Sequence, residues 1–392
     1  MKSQEDHLHR RVILVSVDLS GGGTQRVVEG LAAMLLDAGF DLTVISAGSP
    51  EEAWSTLRSR ARFLRLPGRF DSRMLHRTSV ILRGMRGLGR SALLIRNTVT
   101  RSGSDTPVLA FLPGANLLVA ASCLGLRNPL ILSERNSVTR QPVSGVVRLG
   151  RRLLYRTATA ITTNRSEDRD AIARMAPSVP VVLVPNPPPQ STARAQPKVS
   201  RAIVTIGRLT HHKRHIDIVS AFNAVAPHFP DWTLRIVGEG PERAVLTELI
   251  ANHGLEGRVS LVGHTEDVPS ELQKAAILVH AADYEGTPNA VLEGMAAGLP
   301  CVVSETSLSS GLRAPADPGV RRFAARDTAA LAQHLGELMT GHDLRAEEGA
   351  RNRLLAEWLT APPDTVWPGV IAFARSQRSP VNASRRGPRG RQ

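Results

Sequence analysis

Tyr284-Glu285-Gly286-Thr287-Pro288-Asn289-Ala290-Val291-Leu292-Glu293 sets two glutamates eight positions apart across what reads as the start of a helix. Thr287 suits the N-cap, where a side-chain oxygen accepts a helical N–H, and Pro288 suits the first helical position, where the missing N–H has no helical partner to lose. The amides of that first turn would then cradle an anion such as a phosphate. Glu285 falls in the loop before the cradle and Glu293 about a turn and a half into the helix. Two carboxylates thus flank the anion, placed to accept bonds from sugar hydroxyls. The spacing fits equally well a capped helix with two solvated carboxylates.

Upstream, the β-branched run Ala202-Ile203-Val204-Thr205-Ile206 reads as a buried strand and leads into Gly207-Arg208-Leu209-Thr210-His211-His212-Lys213. Arg208 and Lys213 then lie in the loop at the strand's carboxyl end, where open parallel sheets bind ligands. Two fixed cations there suit a diphosphate, although a basic loop is often simply solvated. Residues 232–237 form a second strand signal that ends in Gly238-Glu239-Gly240-Pro241, and Val259-Ser260-Leu261-Val262-Gly263-His264 a third. The ordered succession of strand, basic loop, strand, glycine turn, strand and glutamate-flanked helix is far more specific than any of its parts.

This succession resembles the carboxyl-terminal half of the family 4 (group 1) retaining glycosyltransferases. It is carried by Gly207-Arg208-Leu209 with Lys213, by Val237-Gly238-Glu239-Gly240-Pro241, and by the stretch from Glu285 through Leu292-Glu293-Gly294-Met295-Ala296-Ala297-Gly298-Leu299-Pro300 to Val303. More loosely, Val12 to Val17 followed by Gly21-Gly22-Gly23-Thr24 looks like the family's first strand and glycine loop, and Val184-Pro185-Asn186-Pro187 like its interdomain crossing. The resemblance implies an α/β protein of the GT-B type, two facing Rossmann-like domains each with a mostly parallel sheet. It also implies a nucleotide-sugar donor, UDP- or GDP-linked, with no further cofactor. Arg208 and Lys213 would stabilise the departing diphosphate and Glu285 would hold the donor sugar; these are the candidate catalytic residues. Glu293 would hold the ribose. Gly207, Gly286, Thr287, Pro288 and Asn289 would line the donor site, with Gly22 and Gly23 approaching the phosphate from the other domain.

Three positions depart from the family pattern. Many members place a histidine after the strand that here reads Leu130-Ile131-Leu132-Ser133; this chain has Glu134-Arg135-Asn136. Arg135 or Asn136 is the candidate for that sugar contact, a structural turn the alternative. Arg214 stands where a glycine often follows the lysine, and Ala282 replaces a common serine. Because the cations and helix amides can neutralise the leaving group, no metal is required. Asp168-Arg169-Asp170 lies in a helix-like segment, residues 166–175, and reads as solvated; His211, His212, His215, His264 and His280 are spread too widely for a metal set.

A length of 392 residues supports two domains. The expected divisions are 1–186, a proline-rich linker at 187–200, 201–359, a helix at 360–377 crossing back to the first domain, and a basic tail at 378–392. The apolar stretch Val108 to Leu126 is interrupted by Pro113, Gly114 and Asn116, and reads as strand, turn and buried helix rather than a membrane span. The charged Met1 to Arg11 does not read as a signal peptide, so a cytoplasmic protein is expected. Cys123 and Cys301 read as isolated core thiols.

The net charge of +14 belongs to the amino-terminal half: residues 1–186 hold 26 basic and 14 acidic side chains. Residues 58–101 carry 12 arginines against the single acid Asp71, interleaved with Phe70, Met74, Leu75, Ile81, Leu82 and Met85. Such a mixture suits an anionic membrane surface at the inner face of the membrane, with a solvated face or nucleic acid as the lesser readings. The acceptor is then a lipid-linked glycan of surface polysaccharide or glycolipid synthesis in the favoured reading, and a soluble small molecule in the alternative. A nucleotide-sugar epimerase would not need this Arg-Lys and Glu-Glu combination. A phosphorylase would need a pyridoxal lysine from a chain with four lysines. A basic non-enzymatic binding protein is the remaining class.

Overall fold

Short apolar runs bounded by glycine, proline and polar residues become strands here, and their near-continuous burial is that of parallel strands covered on both faces. The computed structural model describes residues 11–16, 23–47, 59–67, 78–189, 194–197, 199–307, 319–360 and 363–377. It divides into two units, Met1–Pro185 with Pro362–Gln392, and Asn186–Ala361.

The first unit runs β1 (Arg11–Ser16), α1 (Gly23–Asp37), β2 (Asp41–Ser46), β3 (Arg62–Arg65), α2 (Thr78–Ser102), β4 (Val108–Phe111), α3 (Pro113–Ser122), β5 (Leu130–Glu134), α4 (Gly145–Leu154), β6 (Ala160–Thr163), α5 (Ser166–Met175) and β7 (Val181–Leu183). Its strands form one parallel sheet in the order β3-β2-β1-β4-β5-β6-β7. Alternate residues serve opposite faces. Ile13, Val15 and Ala110 pack with Ile95 of α2, Val119 of α3 and Ile172 of α5, whereas Val12, Leu14 and Leu109 pack with Val28, Leu31 and Leu35 of α1.

The second unit runs β8 (Ala202–Ile206), α6 (His215–Val225), β9 (Thr233–Val237), α7 (Arg243–Asn252), β10 (Val259–Gly263), α8 (Val268–Gln273), β11 (Ile277–His280), α9 (Asn289–Ala296), β12 (Cys301–Ser304), β13 (Val320–Phe323), α10 (Thr328–Thr340) and α11 (His342–Leu359). Its parallel sheet has the order β10-β9-β8-β11-β12-β13. The chain builds outward from β8 to β10, then returns to the other side of β8 with β11. That reversal opens a crevice at the carboxyl ends of β8 and β11. A last helix, α12 (Pro363–Ser376), groups with the first unit, where Trp367, Val370 and Ile371 are buried against the α1 face.

The α/β architecture of two parallel-sheet units is the one expected from sequence. Val108 to Leu126 is strand, turn and helix, and among the described residues no helix is long and apolar enough to cross a membrane. Several local expectations need correction. The described residues of the expected linker, 187–189, 194–197, 199 and 200, group with the second unit instead of standing apart: Ala195 N donates to Ala297 O at 3.0 Å and Arg345 Nε to Pro197 O at 2.6 Å. The arginine-dense stretch contains edge strand β3 and most of α2. Its Arg96 is a structural residue, donating to the Ser122 and Leu124 carbonyls at 3.0 and 2.8 Å and so satisfying the end of α3. Arg58, Phe70, Arg73, Met74, Leu75 and Arg77, the side chains of residues 78–86, and the tail from 378 lie outside the described residues.

Asp168 corrects the reading of 168–170 as solvated. It is fully buried and accepts from Val138 N at 3.0 Å, Thr139 N at 3.2 Å and Thr139 Oγ1 at 3.1 Å. It thereby fixes the loop after β5 from helix α5. Asp170, two positions on, is exposed. Asp168→Asn is expected to lower unfolding stability by about 2–3 kcal/mol, because an acceptor of several bonds becomes a mismatched amide, and Asp170→Asn by less than about 0.5 kcal/mol. Urea titrations of the two variants check this; equal effects would remove Asp168 as the anchor.

Candidate functional site at the carboxyl ends of β8 and β11

The loop after β8 is built on the glycine turn after β9. Gly207 N donates to Val237 O at 2.9 Å, Leu209 N to Glu239 O at 2.9 Å and Glu242 N to Leu209 O at 3.0 Å. The approach is close enough to demand glycine: a Cβ on Gly238, which has φ +141°, would sit 2.0 Å from Gly207 O, and one on Gly240 would sit 2.3 Å from Leu209 O. The Val237-Gly238-Glu239-Gly240 motif therefore supports the loop that carries Arg208 and Lys213.

The loop after β11 is tied to the same place. Asp283 N donates to His212 O at 2.8 Å, the His212 and Tyr284 rings stack at 4.9 Å, and Ser304 Oγ and Thr306 Oγ1 both donate to Ala282 O. Arg326 grips Asp283 with two bonds of 3.1 and 3.0 Å. At the centre Lys213 Nζ donates to Glu285 Oε1, with the two side chains only 17% and 15% exposed. Buried His280, the last residue of β11, brings Nε2 to 3.4 Å from the same oxygen. Burial opposes ionisation of Glu285. The Lys213 ammonium and the contact with His280 outweigh it, and the carboxyl is held well below the usual carboxylate range.

Three histidines share this environment. Burial, followed by the Lys213 charge, pushes His212 down to about 4 and His215 down to about 3. Burial also lowers His280. All three are neutral near pH 7. His211 and His264 are exposed, and among the described residues no group of His, Cys, Asp and Glu is arranged to hold a metal ion.

Helix α9 begins one residue later than expected. Pro288 is the N-cap, extended at φ −72° and ψ 113° with no side-chain cap, so it is not at the first helical position and Thr287 is not the cap. Asn186 supplies what the sequence reading missed. Its amide donates to Thr287 O at 3.0 Å and Asn289 Oδ1 at 2.6 Å, locking the turn before the helix. Gly294 lets α9 sit on β11, since a Cβ there would meet Leu278 at 2.5 Å. Glu293 lies on this seated helix, half-buried, one turn beyond Asn289. Arg208 is exposed at the crevice, while Arg214, at φ +55°, is engaged by Asp217 through bonds of 2.9 and 2.8 Å. Arg214 thus neither points to solvent nor offers its fork to a ligand.

Elsewhere, Gly22 lies outside the described residues and Gly23 opens α1. Arg135, expected as a sugar contact, is turned into the first unit's interior. It donates to Ser133 Oγ at 3.0 Å and Val184 O at 2.8 Å, and lies over the Phe111 and Trp367 rings at 5.9 and 5.5 Å. Burial pulls it down to about 9. Asn136 is half-buried. Neighbouring Glu134 is fully buried, 3.1 Å from Arg151 Nη2 and accepting from the Tyr155 hydroxyl, so this turn is largely structural.

Residues 200–341 match the family described as glycosyl transferases group 1, and residues 22–187 match the glycosyl transferase 4-like domain. An uncharacterized glycosyltransferase of Haemophilus influenzae is 26% identical over 293 residues, covering 74% of this chain and 78% of that protein. The GalNAc-alpha-(1->4)-GalNAc-alpha-(1->3)-diNAcBac-PP-undecaprenol alpha-1,4-N-acetyl-D-galactosaminyltransferase of Campylobacter jejuni is 24% identical over 290 residues, 73% of this chain and 76% of that protein. The crystal structure of Anabaena HepE in complex with UDP and glucose shares the fold, with a TM-score of 0.74 at 15% identity over 93% of this chain and 100% of that one.

The lowered histidines make a pH dependence of stability. An unfolded chain protonates histidine near 6.5, whereas the folded one resists, so the stability present at pH 7 falls as pH drops through about 6.5 and levels off toward the folded values. Each such histidine contributes a slope of up to about 1.4 kcal/mol per pH unit in that window. Urea midpoints between pH 7 and 5 are expected to fall, and to fall less steeply in His215→Leu. A flat profile would show that these rings are accessible to protons in the folded protein.

Proposed function

The chain belongs to the family 4 (group 1) glycosyltransferases, and on that footing we propose that it transfers a hexosyl or N-acetylhexosaminyl group from a UDP- or GDP-sugar to a lipid-linked glycan, retaining anomeric configuration without a metal ion. The observation that carries the donor site is the meeting of Arg208, Lys213, Glu285 and the start of α9 at the carboxyl ends of β8 and β11. The lipid-linked acceptor draws support from the Campylobacter relative, whose name specifies an undecaprenol-linked acceptor.

Breaking the bond from sugar to phosphate builds negative charge on the diphosphate. Arg208 meets that charge directly. Lys213 has three N–H donors, so it can hold Glu285 with one and offer another to the phosphate. The same contact keeps Glu285 ionised, an acceptor for donor-sugar hydroxyls beside the developing positive charge. Glu293, farther along α9, takes the ribose hydroxyls. The departing phosphate oxygen then receives the proton of the attacking hydroxyl on the face it leaves, which gives retention with no enzyme nucleophile.

Arg208→Ala and Lys213→Ala are each expected to reduce kcat by about 10²–10³-fold. Their stabilities should differ. Exposed Arg208 can be lost at little cost, while Lys213→Ala removes the ammonium from the little-exposed Glu285 carboxylate and costs about 2 kcal/mol, below the cost of breaking a fully buried pair. Transfer within a few-fold of the parent in both variants would remove the loop from the phosphate site. Glu285→Gln should mainly lower kcat and Glu293→Gln mainly raise the donor KM; the reverse pattern would exchange their roles. Steady-state kinetics with excess chelator present should show full activity, and loss restored by Mg²⁺ or Mn²⁺ would overturn the metal-free chemistry.

A further inference from the structure

Helix α4, Gly145-Val146-Val147-Arg148-Leu149-Gly150-Arg151-Arg152-Leu153-Leu154, turns part of its apolar side outward. Val147 and Arg151 are buried, and Gly150 sits against Leu117 of α3. On the opposite side Val146, Leu149 and Leu153 are 48%, 57% and 59% exposed. At 100° per residue these three fall within one arc of about 60°, a continuous ridge over two turns. Exposed Arg148 and Arg152 line one side of it, with exposed Arg140 and Arg156 in the segments before and after the helix. No acidic residue occurs between Glu134 and Glu167, although seven arginines do. Three of these, Arg135, Arg151 and Arg165, are buried. The other four make no ion pair with a described residue.

Isolated exposed leucines are ordinary, but an apolar ridge with arginines beside it, in a stretch of sequence without an acid from 135 to 166, has the composition of a helix lying in a lipid interface. Leu354 and Trp358 of α11 are also exposed, yet Glu347 and Glu357 share that helix. Among the described residues α4 is the one helix that exposes three large apolar side chains, and its charged residues are all arginines.

We propose that α4 docks the protein on an anionic lipid surface, with Val146, Leu149 and Leu153 entering the acyl boundary and Arg148, Arg152, Arg140 and Arg156 meeting the headgroup phosphates. This deepens the lipid-linked acceptor reading by naming the element that brings the protein to its acceptor. The docking itself rests on α4 alone and is independent of the donor chemistry.

The full chain is tested by sedimentation with vesicles of phosphatidylcholine alone or mixed with phosphatidylglycerol. Binding is expected with the mixed vesicles and is expected to weaken at high salt. Leu149→Ser with Leu153→Ser should reduce partition by at least about tenfold, as should Arg148→Ser with Arg152→Ser. Both pairs are exposed, so thermal unfolding and the stabilisation by nucleotide sugar should match the parent. Unchanged partition in either double variant overturns the proposal. So does a parent that binds neither vesicle, or a dimer in sedimentation equilibrium that the Leu149→Ser, Leu153→Ser variant dissolves, which would assign the ridge to a second copy of the chain. Lost nucleotide-sugar response with vesicle binding intact would count against the transferase reading and leave the docking standing.

Discussion

The contact between Lys213 and Glu285 joins the loop after β8 to the loop after β11, and the candidate site depends on it. Burial by itself opposes ionisation of so little exposed a glutamate. Paired, the Lys213 ammonium keeps Glu285 ionised, and the contact holds both side chains in place. Around them the backbone bond from Asp283 to His212, the stack of His212 on Tyr284 and the grip of Arg326 on Asp283 hold both loops in register. Buried His280, at the end of β11, lies against the same Glu285 oxygen. The site is therefore one tied assembly at the reversal point of the sheet rather than two loops that meet by chance.

Much of this was legible in the sequence because it is local. The run Ala202 to Ile206 is a strand over the residues read, and its basic loop follows directly. The glycines at 238 and 240 announce close backbone approach, and they have it. What stayed hidden was pairing across long separations. Nothing in the spacing says that Lys213 reaches a residue 72 positions on, or that Asn186 reaches 101 and 103 positions to the turn before α9. The shift of the cap from Thr287 to Pro288 follows from the second of these, since Asn186 holds the Thr287 carbonyl from outside the helix. A polar residue flanked by prolines in Val184-Pro185-Asn186-Pro187 was the available signal.

The first unit shows the same limit in another form. Its arginines looked alike by composition, yet they have separate fates. Arg135, Arg151 and Arg165 are buried beside carbonyls, rings and carboxylates, Arg96 ends a helix, and Arg148 and Arg152 stand in solvent beside exposed leucines. Asp168 and Asp170 divide similarly, because α5 turns one toward the loop after β5 and the other away. Charge counts describe a segment; the helical period decides which charges a partner can meet.

The most direct measurement of the central claim is a crystal structure with UDP or GDP bound. The diphosphate is expected against the start of α9, within hydrogen-bond reach of Arg208 and Lys213, with the ribose hydroxyls on Glu293 and Lys213 still touching Glu285. A nucleotide bound away from β8 and β11, or one that leaves Lys213 and Arg208 without contact to phosphate, would contradict the account.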